Sequence, residues 1–362
     1  MFGSSFNTLK SAPIASRLGM EGSPRVLLVI LNHNSLEKMG CQSLSFIRSI
    51  ASTDYPNLEI VVVDNGSTDG SDGLIEEELG RLGRGRVVRS GRNLGYAGGN
   101  NYGFKLFGSG TKYVGFLNND IEVEPDWLWR IIDVMEHDER IAAAQPMILQ
   151  LNRRELLDSL GGLIDRIGRA YDVGSSLAPP RGLRNPVEVF YARGAAIVFR
   201  SDVFRRLGGF DEDYFIYYEE TDLCWRARLL GYKVVTVPTA KVYHLGGGTS
   251  GGATPHTIYL RRRNQLATLI KNYSLGNAII YSSILTAMFL ASAARRSISP
   301  DYNLVSRAIF SAILWNIRSF RRTLEKRATI QSERIVPDRI VSRHMLGILE
   351  YSRLVKYLPK AY

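Results

Sequence analysis

The sequence predicts an α/β protein with a doubly wound sheet, followed by a separate helical region. Three observations lead there. Short apolar, β-rich runs alternate with stretches of helical length through the first half of the chain. Those runs end in polar residues. Past about residue 255 the pattern changes to long helical stretches rich in arginine.

In chain order, residues 25–31 form the first strand. A helix follows, with apolar Leu44, Ile47, Ile50 and Ala51 on one face. Residues 58–64 make the second strand, Val87 and Val88 mark a third, and residues 113–117 a fourth. A second segment, 141–252, holds an apolar strand at 195–199, an acidic helix start, and strands at 233–237 and 241–243 before a glycine loop. Sheets of this kind bind ligands outside the carboxyl ends of their strands. Asn32 and His33, Asp64 and Asn65, and Asn118 with Asn119 and Asp120 all fall at such ends.

Composition narrows the class. The chain has 362 residues, 45% of them apolar, enough for a sizeable core. Its two cysteines, Cys41 and Cys224, make no disulfide scaffold or cysteine zinc site and suit a reducing compartment. Residues 1–22 are rich in Ser, Ala and Gly, lack a run of signal-peptide length, and are expected to be disordered. Residues 23–255 are expected to form the α/β domain and 256–362 a basic helical region. The net charge of +11 is uneven: from His256 onward there are 18 Lys and Arg against 5 Asp and Glu, leaving the rest at −2. That asymmetry points to an anionic partner for the tail.

Five stretches carry candidate chemistry. In the first, the strand ending at Asp64 runs into Asn65-Gly66-Ser67-Thr68-Asp69-Gly70. Asp64 suits a base or ribose, or else starts a turn while Asp69 caps the next helix. The second, from Arg92 and Asn93 through Gly95 to Asn100 and Gly103, has four glycines that allow close backbone approach. Arg92 suits phosphate. Third, Asn118-Asn119-Asp120 delivers one carboxylate into a polar loop, where Asp120 suits a hard divalent ion that also takes ligand phosphates. Fourth, Glu219, Glu220 and Asp222 follow Phe215, Tyr217 and Tyr218. Like charges among aromatics raise a carboxylate pKa, as a general base requires; a plain acidic helix start explains the charge but not the aromatics. Fifth, His244 leads into the glycine loop 246–251 and suits a metal or phosphate.

Taken in order, these stretches resemble family-2 glycosyltransferases, especially their rhamnosyltransferase-like branch, over about residues 25–250. The resemblance implies a GT-A, Rossmann-like catalytic domain and a metal-assisted, inverting transfer from a nucleotide-diphosphate sugar to a hydroxyl of a glycan or lipid-linked acceptor. Asn32, Asn34, Asp64, Arg92, Asn93, Gly95, Asn100, Asn118 and Asn119 would line the donor site. Asp120 and His244 would hold Mg²⁺ or Mn²⁺, and Glu220 would be the base, with Asp222 and Glu219 in reserve. Asn118 and Glu220 depart from the Asp that many relatives carry there, and Asn118 points to weaker metal binding. The branch points to dTDP-rhamnose as donor. In the tail, Arg263-Asn264-Gln265 resembles a segment that follows the catalytic domain.

Two other functions are weaker. A nucleotidyltransferase should show a basic glycine-rich loop near the first strand, and residues 32–40 show none. A nucleic-acid-binding protein should carry its basic charge around the sheet. In the tail, residues 272–294 hold no charge, nearly a membrane span in length, but polar residues dilute them. A helix lying in the interface of the cytoplasmic membrane face, with arginines on anionic headgroups, is expected; the alternative is a cap on the catalytic domain or on a second copy of the chain.

Overall fold

The computed structural model describes residues 22–246, 254–297 and 303–347. The expected N-terminal disorder and the glycines past Gly246 lie outside the described residues. In order come β1 (Val26–Asn32), α1 (Ser35–Met39), α2 (Gln42–Ala51), β2 (Leu58–Asp64), α3 (Ser71–Leu82), β3 (Arg86–Arg89), α4 (Gly95–Phe107), β4 (Tyr113–Asn118), β5 (Ile121–Val123) and α5 (Trp127–His137). Then follow β6 (Ile141–Gln150), β7 (Leu157–Ser159), β8 (Gly162–Ile164), β9 (Ala170–Asp172), β10 (Val187–Glu188), β11 (Ala196–Arg200), α6 (Ser201–Arg206), α7 (Glu219–Leu229) and β12 (Lys233–His244). The helices α8 (Pro255–Asn272), α9 (Leu275–Ser297), α10 (Asn303–Arg318), α11 (Phe320–Ser332) and α12 (Asp338–Val341) complete the described chain.

The main sheet has ten strands, with central order β10-β12-β6-β11-β4-β1-β2-β3. β1 pairs in parallel with β2 and β4, and β2 with β3. Both faces of a parallel sheet are covered, so its strands read as continuous apolar runs. Alternate side chains serve opposite layers. Leu27, Val29, Val61 and Val63 pack with Ala97 of α4, Trp225 of α7 and Leu269 of α8. Leu28, Ile30, Ile60 and Val62 pack with Ile47 of α2, Ile75 of α3 and Ile131 of α5.

The sheet is mixed, a departure from the all-parallel pattern of a simple doubly wound fold. β11 runs antiparallel to both β4 and β6. It enters at the carboxyl end of β4, where the Asn118 amide donates to the Ala195 carbonyl, and runs back, which needs no crossover helix. The strands expected at 233–237 and 241–243 are one strand, β12, with a register shift between Val237 and Lys241. Pro238 lies in that interval and has no N–H to give.

Two of the glycines read as ligand-facing serve packing instead. A Cβ on Gly99 would lie 2.3 Å from Leu31 Cδ1, and one on Gly103 would lie 2.7 Å from Val29 Cγ1 and 2.9 Å from Val63 Cγ2. They are four residues apart, on one face of α4, and let the helix backbone sit directly on β1 and β2. Gly103→Ala is expected to cost about 1–3 kcal/mol by overpacking, read as a lower urea midpoint. An unchanged midpoint would contradict this close contact.

Candidate functional site

The carboxyl ends of β1, β2 and β4 meet in one polar layer. Asn32 is fully buried, and its Nδ2 donates to Asp64 Oδ1 (3.1 Å), Ser67 Oγ (3.2 Å) and Ser71 Oγ (3.0 Å). Its Oδ1 accepts from Asn119 Nδ2 at 3.0 Å. Asp64 Oδ2 accepts the Ser67 amide. Asn34, in the left-handed region at φ 49°, accepts the Thr68 amide and, with Ser67, ties the β1 loop to the β2 loop. Asp69 accepts the amides of Ser71 and Glu37 and so links α1 to the start of α3, but the N-cap position of α3 is Gly70 and Asp69 is not its cap. Arg92 and Asn93 are exposed at the rim, and the Asn93 amide nitrogen lies 3.1 Å from His33 Nε2. Asn100 is buried inside α4, where its Nδ2 donates to the Tyr96 carbonyl.

Asp120 and His244 come together from β4 and β12 because the Leu245 amide donates to the Asp120 carbonyl and β5 pairs with the end of β12. His244 Nε2 lies 3.3 Å from Asp120 Oδ1, while its Nδ1 is 2.8 Å from Asp158 Oδ2. Apart from each other, both Asp120 carboxylate oxygens and His244 Nε2 are buried without a hydrogen-bond partner among the described residues. Buried polar atoms left so are costly unless something else binds them. Two donors each about 2.1 Å from one divalent ion lie about 3 Å apart at right angles, so the pair fits such an ion. A carboxylate on the far imidazole nitrogen, here Asp158, is the usual support of a metal-ligating histidine. No group of three or more His, Cys, Asp or Glu among the described residues is arranged to hold a metal. The remaining ligands would have to be phosphate oxygens and water.

The three carboxylates at the start of α7 face different surroundings. Asp222, fully buried, is paired with Arg226 (2.8 Å) and Lys271 (3.1 Å) and accepts from Asn272 Nδ2 (3.0 Å). Against the cost of burial, those cations hold it below the usual carboxylate range. Glu219 is 4% exposed, and burial together with the neighbouring Glu220 pushes it well up. Glu220 keeps some solvent access. Burial pushes it up to about 7, with Asp172 adding and Arg193 opposing. Arg193 itself lies 3.3 Å from Asp158 and 3.4 Å from Asp172. It therefore joins the carboxylate behind His244 to the surroundings of Glu220.

The segment before α7 is strained. Phe215, Tyr217 and Tyr218 have φ of 64°, 72° and 72°, each a conformation that costs a non-glycine residue about 1–3 kcal/mol. The Ile216 amide donates back to the Tyr214 carbonyl at 2.7 Å, a tight three-residue turn around Phe215. Gly95 is needed here: its φ is +72°, and a Cβ on it would lie 2.4 Å from the Phe215 carbonyl. The Ala97 amide donates to that same carbonyl, which joins α4 to the turn.

The structure thus groups Asn32, Asn34, Asp64, Asn119 and Asp120 at one strand edge, joins His244 to Asp120, and places Glu220 beside Asp172 and Arg193. Asp222 turns into an ion network and Asn100 into a helix. Asp158, Asp172 and Arg193 escaped the sequence because they sit in no motif; Asp158 lies on a three-residue strand, and only folding brings it to His244.

His244 provides a test of this geometry. Burial disfavours its charged form, but hydrogen bonds and charge from Asp120 and Asp158 outweigh that and raise its pKa to about 9. In metal-free protein a raised pKa stabilises the fold fully below the unfolded value of about 6.5 and ceases to do so as pH rises through about 9. Asp158→Asn is expected to lower the His244 pKa, measured by NMR of the imidazole, and to flatten the loss of stability between those pH values. A His244 pKa unmoved by Asp158→Asn would show that Asp158 does not hold the ring.

Comparison with known proteins agrees with the fold. Residues 29–169 match the family described as Glycosyl transferase family 2. An N-acetylglucosaminyl-diphospho-decaprenol L-rhamnosyltransferase of Mycobacterium tuberculosis is 27% identical over 225 residues, 57% of this chain and 72% of that protein. The uncharacterized protein y4gI of Sinorhizobium fredii is 27% identical over 241 residues; the match takes in 64% of this chain but only 26% of that longer protein. Among solved structures, GalNAc-T7 with UDP, GalNAc and Mn²⁺ superposes with a TM-score of 0.58 at 18% identity, covering 83% of this chain and 58% of that one. A strand edge that gathers Asn32, Asp64 and Asp120, on a mixed sheet of this topology and with this similarity, makes the chain a member of glycosyltransferase family 2 with the GT-A fold.

Proposed function

We propose that the chain is an inverting, metal-assisted glycosyltransferase that moves a sugar from a nucleotide-diphosphate donor to a hydroxyl. The observation that carries this is the pair of buried ligand atoms on Asp120 and His244 that meet only each other, set in the same site as a carboxyl poised near neutrality on Glu220. Asp64, Asn32 and the exposed Arg92 and Asn93 would receive the nucleotide, at the edge where such sheets bind ligands. Asp120 and His244 would hold Mg²⁺ or Mn²⁺, whose charge neutralises the diphosphate as it departs. The bound Mn²⁺ in GalNAc-T7 is consistent with this, without choosing between the two ions.

Glu220 takes the proton from the acceptor hydroxyl as that oxygen attacks the anomeric carbon. The bond from that carbon to the diphosphate oxygen breaks, and its electron pair leaves with the diphosphate. The transition state is oxocarbenium-like, and a single displacement inverts the centre. Glu219, more deeply buried, and Asp222, held in its ion pairs, are less suited to the role. Similarity to the decaprenol-linked rhamnosyltransferase favours dTDP-rhamnose as donor and a lipid-linked acceptor.

Glu220→Gln keeps the shape but cannot accept a proton; turnover is expected to fall about 10²–10⁴-fold with nucleoside diphosphate binding intact. In the wild type, kcat should rise with pH through about 7, as Glu220 loses its proton. Asp172→Asn should move that limb to lower pH. An active Glu220→Gln with an inactive Asp222→Asn would transfer the role to Asp222. Asp120→Asn should abolish the Mn²⁺-dependent part of nucleoside diphosphate affinity in calorimetry; unchanged dependence would remove Asp120 from the metal site.

The C-terminal helices are proposed to bind the cytoplasmic membrane face, close to that acceptor. α9 is long and apolar enough to cross a membrane by length and composition. However, Ala278, Leu285, Phe289 and Ala293 along one side of it are buried in the protein's own core. The opposite side exposes Leu275, Ile279, Ile280, Ile284 and Met288, and α10 adds Leu304, Phe310, Leu314 and Ile317. Exposed Arg295, Arg307, Arg318, Arg321 and Arg322 lie on the same three helices, α9 to α11. An apolar ridge accompanied by cations suits an anionic bilayer surface. Flotation with anionic liposomes should show binding that weakens with salt. Absence of binding at low salt, with a dimer in light scattering, would assign the ridge to a second copy.

A further inference from the structure

A buried helix outside the expected catalytic domain holds the strained turn from which the catalytic helix starts. Asn264 of α8 is fully buried, and its Nδ2 lies within hydrogen-bond distance of three carbonyls of the turn: Tyr214 at 3.0 Å, Ile216 at 3.0 Å and Tyr217 at 2.7 Å. Arg263 adds Nη2 contacts to the carbonyls of Asp213 (2.7 Å) and Tyr214 (2.8 Å), and its Nε fixes the Asn264 amide by donating to Oδ1 at 2.8 Å. The Arg263 guanidinium lies 4.6 Å from the centre of the Trp315 ring on α10, and Asn316 Nδ2 donates to the Arg263 carbonyl. One turn further along α8, the Thr268 hydroxyl meets the Tyr214 hydroxyl at 2.8 Å, and Lys271 pairs with Asp211 and Asp222. The contacts that Asn264, Thr268 and Lys271 make here, and those of Arg263 Nη2, fall on the segment 211–222, in front of or inside the first turn of α7.

The placement matters because that segment has little freedom to find its shape unaided. Three aromatic residues with positive φ persist only where the surroundings over-determine them. Here the surroundings are donors aimed at the carbonyls that a left-handed turn leaves pointing away from regular pairing. Tyr218 is the last such residue and the next one is Glu219, so the direction of the turn sets the direction of both glutamates.

We propose that Asn264, held by Arg263, is a positioning residue for catalysis: it clamps the left-handed turn 215–218 and thereby sets where Glu220 stands relative to the acceptor hydroxyl. This rests on Glu220 being the base. It predicts that the helical tail, through α8, belongs to the catalytic machinery although Asn264 touches no substrate.

The test uses the full chain. Asn264→Leu keeps the volume but removes both N–H donors. The expected result is a kcat lowered about tenfold or more, since misplacement of a reacting group by about 1 Å can cost a hundredfold, with Mn²⁺-dependent nucleoside diphosphate affinity unchanged and the acid limb of kcat displaced from its wild-type pH. Gln331→Met is the control. It removes a partly buried amide that donates to the Lys271 and Asn272 carbonyls at the far end of α8, and should lower thermal stability without moving that limb. Should Asn264→Leu not fold, Asn264→Ser, which keeps one short donor, takes its place with a smaller loss of kcat and the same displaced limb. Wild-type kcat and pH profile in the folded variant would overturn the clamp, as would the same changes in Gln331→Met, which would mark the effect as general loosening. Glu220→Gln is assayed beside them. If it is inactive while Asn264→Leu is normal, only the clamp fails; if it is active, the base assignment fails and the clamp with it.

Discussion

Asn32 at the end of β1 lies beside Asp64 at the end of β2, and Leu31 lies beside Asn118 of β4, because the three strands run parallel and in register. Parallel pairing brings all carboxyl ends to one edge, so whatever polar residues terminate the strands are collected there. Everything else in the site builds on that edge. β11 runs back from it and brings Arg193. β12, paired with β5, brings His244 to Asp120. α4 sits on the sheet through Gly99 and Gly103 and carries Gly95 to the turn before α7.

The site is defined as much by what is left unpaired as by what is bonded. Glu219 and Glu220 each retain a buried oxygen without a partner among the described residues, whereas Asp222, two residues from Glu220, is surrounded by cations. A buried carboxylate that is fully paired is stable and inert; one that is buried and unpaired rises in pKa and can exchange a proton near neutrality. Carboxyls of like chemistry at the head of α7 are therefore shifted in opposite directions. What separates them is whether Lys271 of α8 can reach the carboxylate.

The C-terminal helices serve two purposes on opposite sides. α8 lends its polar residues to the turn before α7, while α9 and α10 leave apolar side chains exposed beside arginines. The composition of the tail announced its charge and its helices, but nothing in it separated the residues that face the turn before α7 from those that face outward. Arg263 and Arg295 look alike in sequence; one is buried against Trp315 and the turn, the other is exposed.

By itself the sequence determined what depends on local pattern: the apolar runs of β1, β2 and β4, the polar residues that end them, the helix start at Glu219, and the order of motifs that marks the family. Periodicity and turn chemistry act over a few residues, so they are legible there. Only the tertiary structure decided that β11 is antiparallel, that Gly99 and Gly103 serve helix–sheet contact, that Asp158 stands behind His244, and that Asn264 spans three carbonyls some fifty residues away. Those depend on distances between segments remote in the chain, and a side chain's charge, pKa and role are set by the neighbours that folding supplies, which no local pattern encodes.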